Sequence, residues 1–267
     1  MAAGHEVTLY AEPIGKIGNF VVTNSLLTSW LAAAVLLILA LVLRLGLKTI
    51  PGRFQSGVEV IFEGALGLAD SVTGSRKKSL IFLPIVLPLF LFILLNNWLG
   101  ILPGIGSIGI GEAGEIVPLF RGSTADLNTT LALSLVAVII THLAGVFLAG
   151  ARSHLNRFVG LDLLLAIPGE IGRGHYQAIL VNPIRFLVGI IEIVGELAKV
   201  ASLSFRLFGN VFAGEVLLGA MATIFAYILP VPFLFLEIFV GLIQAVIFAM
   251  LVLVFLSVMS ESHEEAH

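Results

Sequence analysis

Long apolar runs separated by short polar stretches dominate the chain. Ser25 to Leu43 is an almost unbroken series of Leu, Ala and Val; Leu80 to Ile101, Leu127 to Leu148 and Phe233 to Val258 repeat the pattern. At 1.5 Å per residue, each suffices to cross a hydrocarbon layer about 30 Å thick. From Pro183 to Tyr227 a helical pattern runs for about 45 residues, about 65 Å if unbroken, before Pro230 and Pro232 turn the chain. Residues 57–72 differ: Val58, Ile61, Phe62, Ala65, Leu68 and Ala69 recur at helical spacing against Glu59, Glu63 and Asp70. That segment is too polar to span and reads as an amphipathic surface helix or, nearly as well, as a soluble helix docked on a partner. The long runs lack strand alternation, so helices rather than a barrel cross the membrane.

The expected architecture is an all-α integral membrane protein. It has about five membrane-crossing helices plus one surface amphipathic helix, and the last two crossings form a long, strongly tilted hairpin. Residues 1–24 read as an external tail, 25–178 as peripheral transmembrane helices carrying the amphipathic helix 57–72, 179–259 as the tilted hairpin, and 260–267 as a cytoplasmic tail.

Composition narrows the function. The 267 residues are 58% hydrophobic and 12% charged, with a mean hydropathy of +1.10, which excludes a soluble domain. A formal net charge of −3 offers no nucleic-acid footprint. With no cysteine there are no disulfides or thiolate metal sites. His154 and His175 have no carboxylate at ligand spacing and read as surface residues; no metal or cofactor site and no Gly-rich phosphate loop or nucleophile–base set is expected. Residues 1–24 lack a positive n-region, so no cleaved leader is read. Arg44, Lys48, Arg53 and Arg76-Lys77-Lys78 put that loop on the cytoplasmic side; Arg152, Arg157 and Arg173 do the same for the later one. The N-terminus is then outside and the C-terminus inside.

Between Asn182 and Ser260 the formally charged side chains are Arg185, Glu192, Glu196, Lys199, Arg206, Glu215 and Glu237. An Arg or Glu at bilayer depth costs roughly 2.5–3.5 kcal/mol on insertion scales, so such residues face protein or a wet cavity. Glu192, Lys199 and Arg206 recur every seven residues and share a helix face. Glu196 can pair with Lys199, three residues on. Asn210 adds an amide one turn after Arg206, and Glu215 lies about 14 Å beyond Arg206 on the opposite side. Arg206 stays charged and cannot relay a proton, which suits a gate. Glu215 and Glu237 are the plausible proton carriers; the bland alternative pairs them structurally across the hairpin. Gln244, seven residues after Glu237, can hydrogen-bond across to Arg206 or Asn210. Ser202, Ser204 and Gly209 are small and suit close approach of a neighbouring helix, with Leu203, Leu207 and Asn210 on the contacting face. His142 is read as a buried hydrogen-bonder, and the Phe side chains of the last helix as packing.

The run Arg206-Leu207-Phe208-Gly209-Asn210, followed by Ala213-Gly214-Glu215, resembles the signature of subunit a of the F-type ATP synthases. Leu95-Asn96-Asn97-Trp98-Leu99-Gly100, Pro103-Gly104, Pro118, Thr124-Ala125-Asp126-Leu127-Asn128 and Gln244-Ala245-Val246-Ile247-Phe248 are similar to that family too. The likeness spans roughly residues 50 to 262. It implies a non-catalytic stator subunit with two offset half-channels, between which Arg206 faces a rotating ring of carboxylate-bearing proteolipid c subunits. It further implies peripheral-stalk b subunits and the other ATP synthase subunits as partners, and a bacterial inner membrane rather than a thylakoid. On that likeness, protons would be taken up past Glu215 and Glu237 and released past Glu192, Glu196 and Lys199. Many family members carry His at one of the two outer carboxylate positions; here both are Glu, and their order in the relay stays open. The rival readings are a stand-alone cation/proton antiporter, which would be expected to show inverted repeats, and an ion-paired scaffold.

Overall fold

A computed structural model describes residues 10–102, 108–111, 117–151, 178–225 and 228–260. His154, His175, the segment 161–168, residues 1–9 and residues 261–267 lie outside them.

Strands β1 (Pro13–Ile17) and β2 (Phe20–Thr23) form an antiparallel hairpin. It turns at Gly18, whose φ of 63° is a left-handed value that glycine adopts without a Cβ clash. The end of the expected external tail is therefore ordered. Strands this short, with mixed polarity, leave too little alternation to read. The hairpin is stapled to helix α1 (Asn24–Gly46): the Glu12 N–H donates to Asn24 Oδ1 at 3.2 Å and the Asn24 N–H to the Glu12 carbonyl at 3.0 Å. Thr23 caps the helix by accepting from the Leu26 N–H.

Helix α1 buries Asn24, Ser25, Thr28 and Ala32 and leaves Leu37, Ile38, Leu41 and Val42 uncovered. Polar residues inward and leucines outward is the pattern of a helix whose outer solvent is hydrocarbon.

Helix α2 (Arg53–Thr73) ends at Gly74, in the left-handed region, whose N–H caps the Asp70 carbonyl. Its Leu66, Ala69 and Thr73 are buried, and it packs on two of the membrane helices. Phe54, Ile61 and Leu68 on its other flank are exposed. The helix thus docks on its own chain over its C-terminal half rather than lying free along a surface. At the joint to α3 (Arg76–Ile101), Arg76 pairs with Asp70 at 2.7 Å. The Ser79 hydroxyl and the Arg76 guanidinium beside Asp70 hold its carboxyl below the usual range.

Helix α3 continues through Pro84 and Pro88. After a two-residue pairing of β3 (Gly109–Ile110) with β4 (Val117–Pro118) and one 3₁₀ turn at Ser123–Ala125, Asp126 caps α4 (Leu127–Ala149) by accepting from the Asn128 N–H. Helix α5 (Ala178–Ile224) is unbroken over 47 residues, about 70 Å. Helix α6 (Pro230–Ser260) packs back against it.

Among the described residues, five helices are long and apolar enough to cross a membrane: Asn24–Gly46, Arg76–Ile101, Leu127–Leu148, Leu187–Ile224 and Pro230–Ser260. The chain is a multi-pass, all-α membrane protein. α6 is the hub, touching α3, α4, α5 and α2. Its Phe248, Val252, Leu253 and Leu256 meet Phe82 and Ile93 of α3 and Leu203 and Leu207 of α5 in one core. Phe235 and Phe239, expected as packing, are instead exposed; a hydrocarbon surround removes the drive to bury them.

Candidate functional site

The end of the bundle that carries the loop before α4 is polar inside. The loop before α4 is pinned to α1 by the Ser25 hydroxyl donating to Asp126 at 3.0 Å and by a short Ser29–Ser123 contact. It is pinned to α3 by the Thr124 hydroxyl donating to Asn97 Oδ1 at 2.7 Å. Asn97 in turn donates to the Gly241 carbonyl of α6 at 2.9 Å, and the Trp98 indole to the Ile238 carbonyl at 3.2 Å. Gly100 and Gly122 let α3 and the loop meet backbone to backbone: a Cβ on Gly100 would lie 2.7 Å from the Gly122 Cα. The Asn-Asn-Trp and Thr-Ala-Asp stretches thus form one joint between α1, α3 and α6.

Beside this joint lies a cavity of about 190 Å³, whose walls include Asn97, Gly100, Gly122, Glu215 of α5 and Glu237 of α6. It has room for several waters and polar groups to hold them. Both carboxylates face it, but they do not pair with each other. Glu215 is taken by Arg121 of the loop: the guanidinium Nη2 lies 3.0 Å from Oε2 and Nε 3.1 Å from Oε1. Glu237 is buried and makes neither a hydrogen bond nor an ion pair among the described residues. Its carboxyl fills the space above Gly214, where any Cβ would collide with it. The structural pairing of Glu215 with Glu237 is replaced by an Arg121–Glu215 pair that sequence spacing missed. The one available signal was a lone cation in an otherwise acidic loop.

About 14 Å along α5 from Glu215, Arg206 is exposed, and its hydrogen bond among the described residues is to Ser202 at 3.4 Å. The neighbouring Asn210 donates to Gln244 of α6 at 2.7 Å, the cross-hairpin contact its spacing anticipated. The exposed sector around Arg206 contains Ala198, Ser202, Gly209 and Ala213. Leu203, Leu207 and Ser204 point the other way, into the chain: both leucines join the core, and Ser204 meets Thr130 of α4 at 3.2 Å. Leu203, Leu207 and Ser204 therefore leave the predicted outward face. Arg206 sits at the edge of the exposed sector; the leucines, 60–100° to one side, fill the core, and the small residues on the other side stay outward.

Toward the other end of α5, Glu196 gathers an ammonium and an imidazole. The Lys199 ammonium donates to it at 2.7 Å, as the i, i+3 spacing predicted, and His142 of α4 approaches at 3.5 Å. The Lys199 ammonium also lies 4.8 Å from the centre of the Phe255 ring. His142 is thus no isolated imidazole. Glu192, one turn earlier, is half-buried.

A family model for the ATP synthase A chain matches residues 26–257. The chain belongs to this family. It is 34% identical over 256 residues to the ATP synthase subunit a of Mycobacterium marinum, covering 94% of this chain and 92% of that one. It is 32% identical over 244 residues to that of Syntrophobacter fumaroxidans, covering 90% and 85%, and 30% identical over 239 residues to that of Geotalea daltonii, covering 90% and 87%. In this member of the A chain family, the residues singled out from sequence fall into three places: a cavity with Glu215 and Glu237, an exposed sector with Arg206, and a cluster with Glu196 and Lys199 toward the other end of α5.

Chemically, the first place can hold water against a carboxyl with no ion partner, which suits reversible protonation. The second presents a permanent cation to whatever covers α5. The third offers an imidazole and a carboxylate within reach of one another.

Proposed function

We propose that the chain is the proton-translocating stator subunit of a rotary F-type ATP synthase, itself non-catalytic, with nucleotide chemistry on other chains. The supporting observation is the arrangement along α5. One unbroken helix carries an outward Arg206 on a face of small residues, and nine residues on it lines an inward wet cavity with Glu215. Two separate environments on one helix fit two half-channels divided by a fixed cation.

A proton taken up from outside reaches the cavity of Glu215 and Glu237 and passes to a carboxylate on a ring of proteolipid c subunits covering the small-residue sector. Asn210 and Gln244 hold polar groups beside that transfer. The neutral ring site turns away through lipid. A carboxyl arriving on the other side of Arg206 releases its proton inward past Glu192, Glu196, His142 and Lys199. Arg206 favours an ionised carboxylate beside it and repels a proton attempting the direct route. Ser202 and Gly209 keep the approach close; Ser204 instead ties α5 to α4. The α5–α6 hairpin lies tilted, since about 70 Å of helix exceeds an upright span. Peripheral-stalk b subunits and the remaining synthase subunits complete the assembly, in a bacterial inner membrane with the N-terminus outside.

ATP-driven proton pumping by the assembled complex in vesicles tests this. Arg206→Ala should abolish pumping while the complex still assembles. Pumping at the wild-type rate with Arg206→Ala would overturn the reading.

A further inference from the structure

Arg121 sits in a connecting loop, yet it is 7% exposed. Its backbone N–H donates to the Thr28 hydroxyl of α1 at 3.2 Å, and Nη1 donates to the Tyr10 carbonyl at 2.9 Å. Three contacts address Glu215: Nε lies 3.1 and 3.2 Å from the two carboxylate oxygens and Nη2 lies 3.0 Å from Oε2. The loop that carries it is fastened to α1 by Ser25 and Asp126 and to α3 by Asn97 and Thr124. A planar fork on a fastened base fixes a carboxylate in position as well as in charge.

The two acids of the cavity are therefore not equivalent. A proton settling on Glu215 must displace a guanidinium N–H from one of its oxygens. A proton settling on Glu237 displaces no such donor, and the cavity beside it leaves room for water. Resting on the function proposed above, we propose that Arg121 is a positioning residue that holds Glu215 as a fixed wall of the outer path, and that Glu237 is the carboxyl that takes up and hands on the proton. The transfer forms one O–H bond on Glu237 from the excess proton of a cavity water. That bond breaks when the proton passes to the ring carboxylate. Glu215 and Arg121 exchange no proton; they orient the water and keep the cavity open.

The test measures ATP-driven proton pumping by the whole complex in vesicles, with assembly checked by the amount of intact complex. Glu237→Gln should lower the rate about 30-fold or more, whereas Glu215→Gln and Arg121→Gln should each cost about five- to tenfold. The double variant Arg121→Gln/Glu215→Gln should match its worse single parent, because both changes remove one interaction. Arg121→Lys, which keeps a cation, should recover at least about half of the loss on a logarithmic scale, a rescue that a merely space-filling role would not give. Multiplying losses in the double variant would overturn the proposal. So would Glu215→Gln as severe as Glu237→Gln, or Arg121→Lys no better than Arg121→Gln. If Arg121→Gln fails to assemble, Arg121→Lys and the ratio of the two Glu→Gln variants decide. Wild-type rates for both Arg206→Ala and Glu237→Gln would instead sink the function itself. Loss in those two with wild-type Arg121 variants sinks this proposal alone.

Discussion

Two arginines on neighbouring parts of the molecule illustrate how one side chain serves opposite ends. Arg121 is buried in the loop before α4, donating to Glu215 and Tyr10; Arg206 lies exposed on mid-α5 with a long hydrogen bond to Ser202. A guanidinium satisfied inside its own chain holds geometry, and removing one partner of a buried pair leaves an uncompensated charge. A guanidinium on an exposed face is open to a partner from outside the chain. Burial and partnering, rather than residue type, separate the two arginines.

The sharpest way to break that comparison is to remove the outward cation. Arg206→Ala takes away no core contact, so the complex should assemble at normal levels and melt at a normal temperature. ATP synthesis driven by a proton gradient should nonetheless fall at least about 100-fold, equivalent to about 2.7 kcal/mol. Arg206→Lys should fail as well, since an ammonium lacks the planar fork and holds its water more tightly. A large drop in assembly with Arg206→Ala would show that this arginine, too, is structural.

The buried half is probed next through its packing. Gly100 and Gly122 touch backbone to backbone immediately beside Arg121, leaving no room for a methyl group. Gly100→Ala must push the loop away from α3, at a cost of about 1–3 kcal/mol for overpacking. We expect a lower melting temperature of the detergent-solubilised complex, with proton pumping reduced because Arg121 moves relative to Glu215. An unchanged melting temperature would mean that the joint is softer than its contacts imply.

How much of this was legible beforehand follows from the range of each signal. Apolar runs located all five crossings, because hydrophobic length is a local property. The i, i+3 pair of Glu196 with Lys199 and the cross-hairpin bond of Asn210 with Gln244 followed from helical spacing. Arg121 was invisible as a partner of Glu215 because 94 residues separate them and only the folded loop brings them together. The Glu196–His142 approach likewise crosses from α4 to α5. Of the outward face expected near Arg206, Ser202, Gly209 and Asn210 stay exposed, while Leu203, Ser204 and Leu207 turn into the core. In an apolar environment leucines serve equally at a core or a lipid surface, so composition alone does not tell which side of an arginine is packed.

That divided face gives a smaller, geometric test. Single cysteines at Ser202, Gly209 and Ala213 should crosslink to a neighbouring ring helix in the assembled complex. Cysteines at Leu203 and Leu207 should do so about tenfold less, since reacting there requires local opening of the core. Equal yields from both sets would remove the distinction between the two sides of α5 on which the outward reading of Arg206 rests.

The smallest effect belongs to a third arginine, which serves as the control. Arg76 pairs with Asp70 at 2.7 Å, as short as any ion pair among the described residues, but both side chains are substantially exposed, at 55% and 31%. Solvent screening leaves such surface pairs with little net worth. Because the Ser79 hydroxyl and Arg76 hold the folded Asp70 carboxyl below its ordinary value of about 3.8, whatever the pair contributes is present above that pH. It is lost as the pH falls through the lower folded value. Asp70→Asn should therefore shift the melting temperature of the complex only slightly at pH 7, and the difference from wild type should vanish in strong acid. Pumping should stay at the wild-type rate. A loss at pH 7 as large as that of Glu215→Gln would mean that pairing alone, and not burial, sets an arginine's importance here, and the contrast between Arg121 and Arg206 would need another basis.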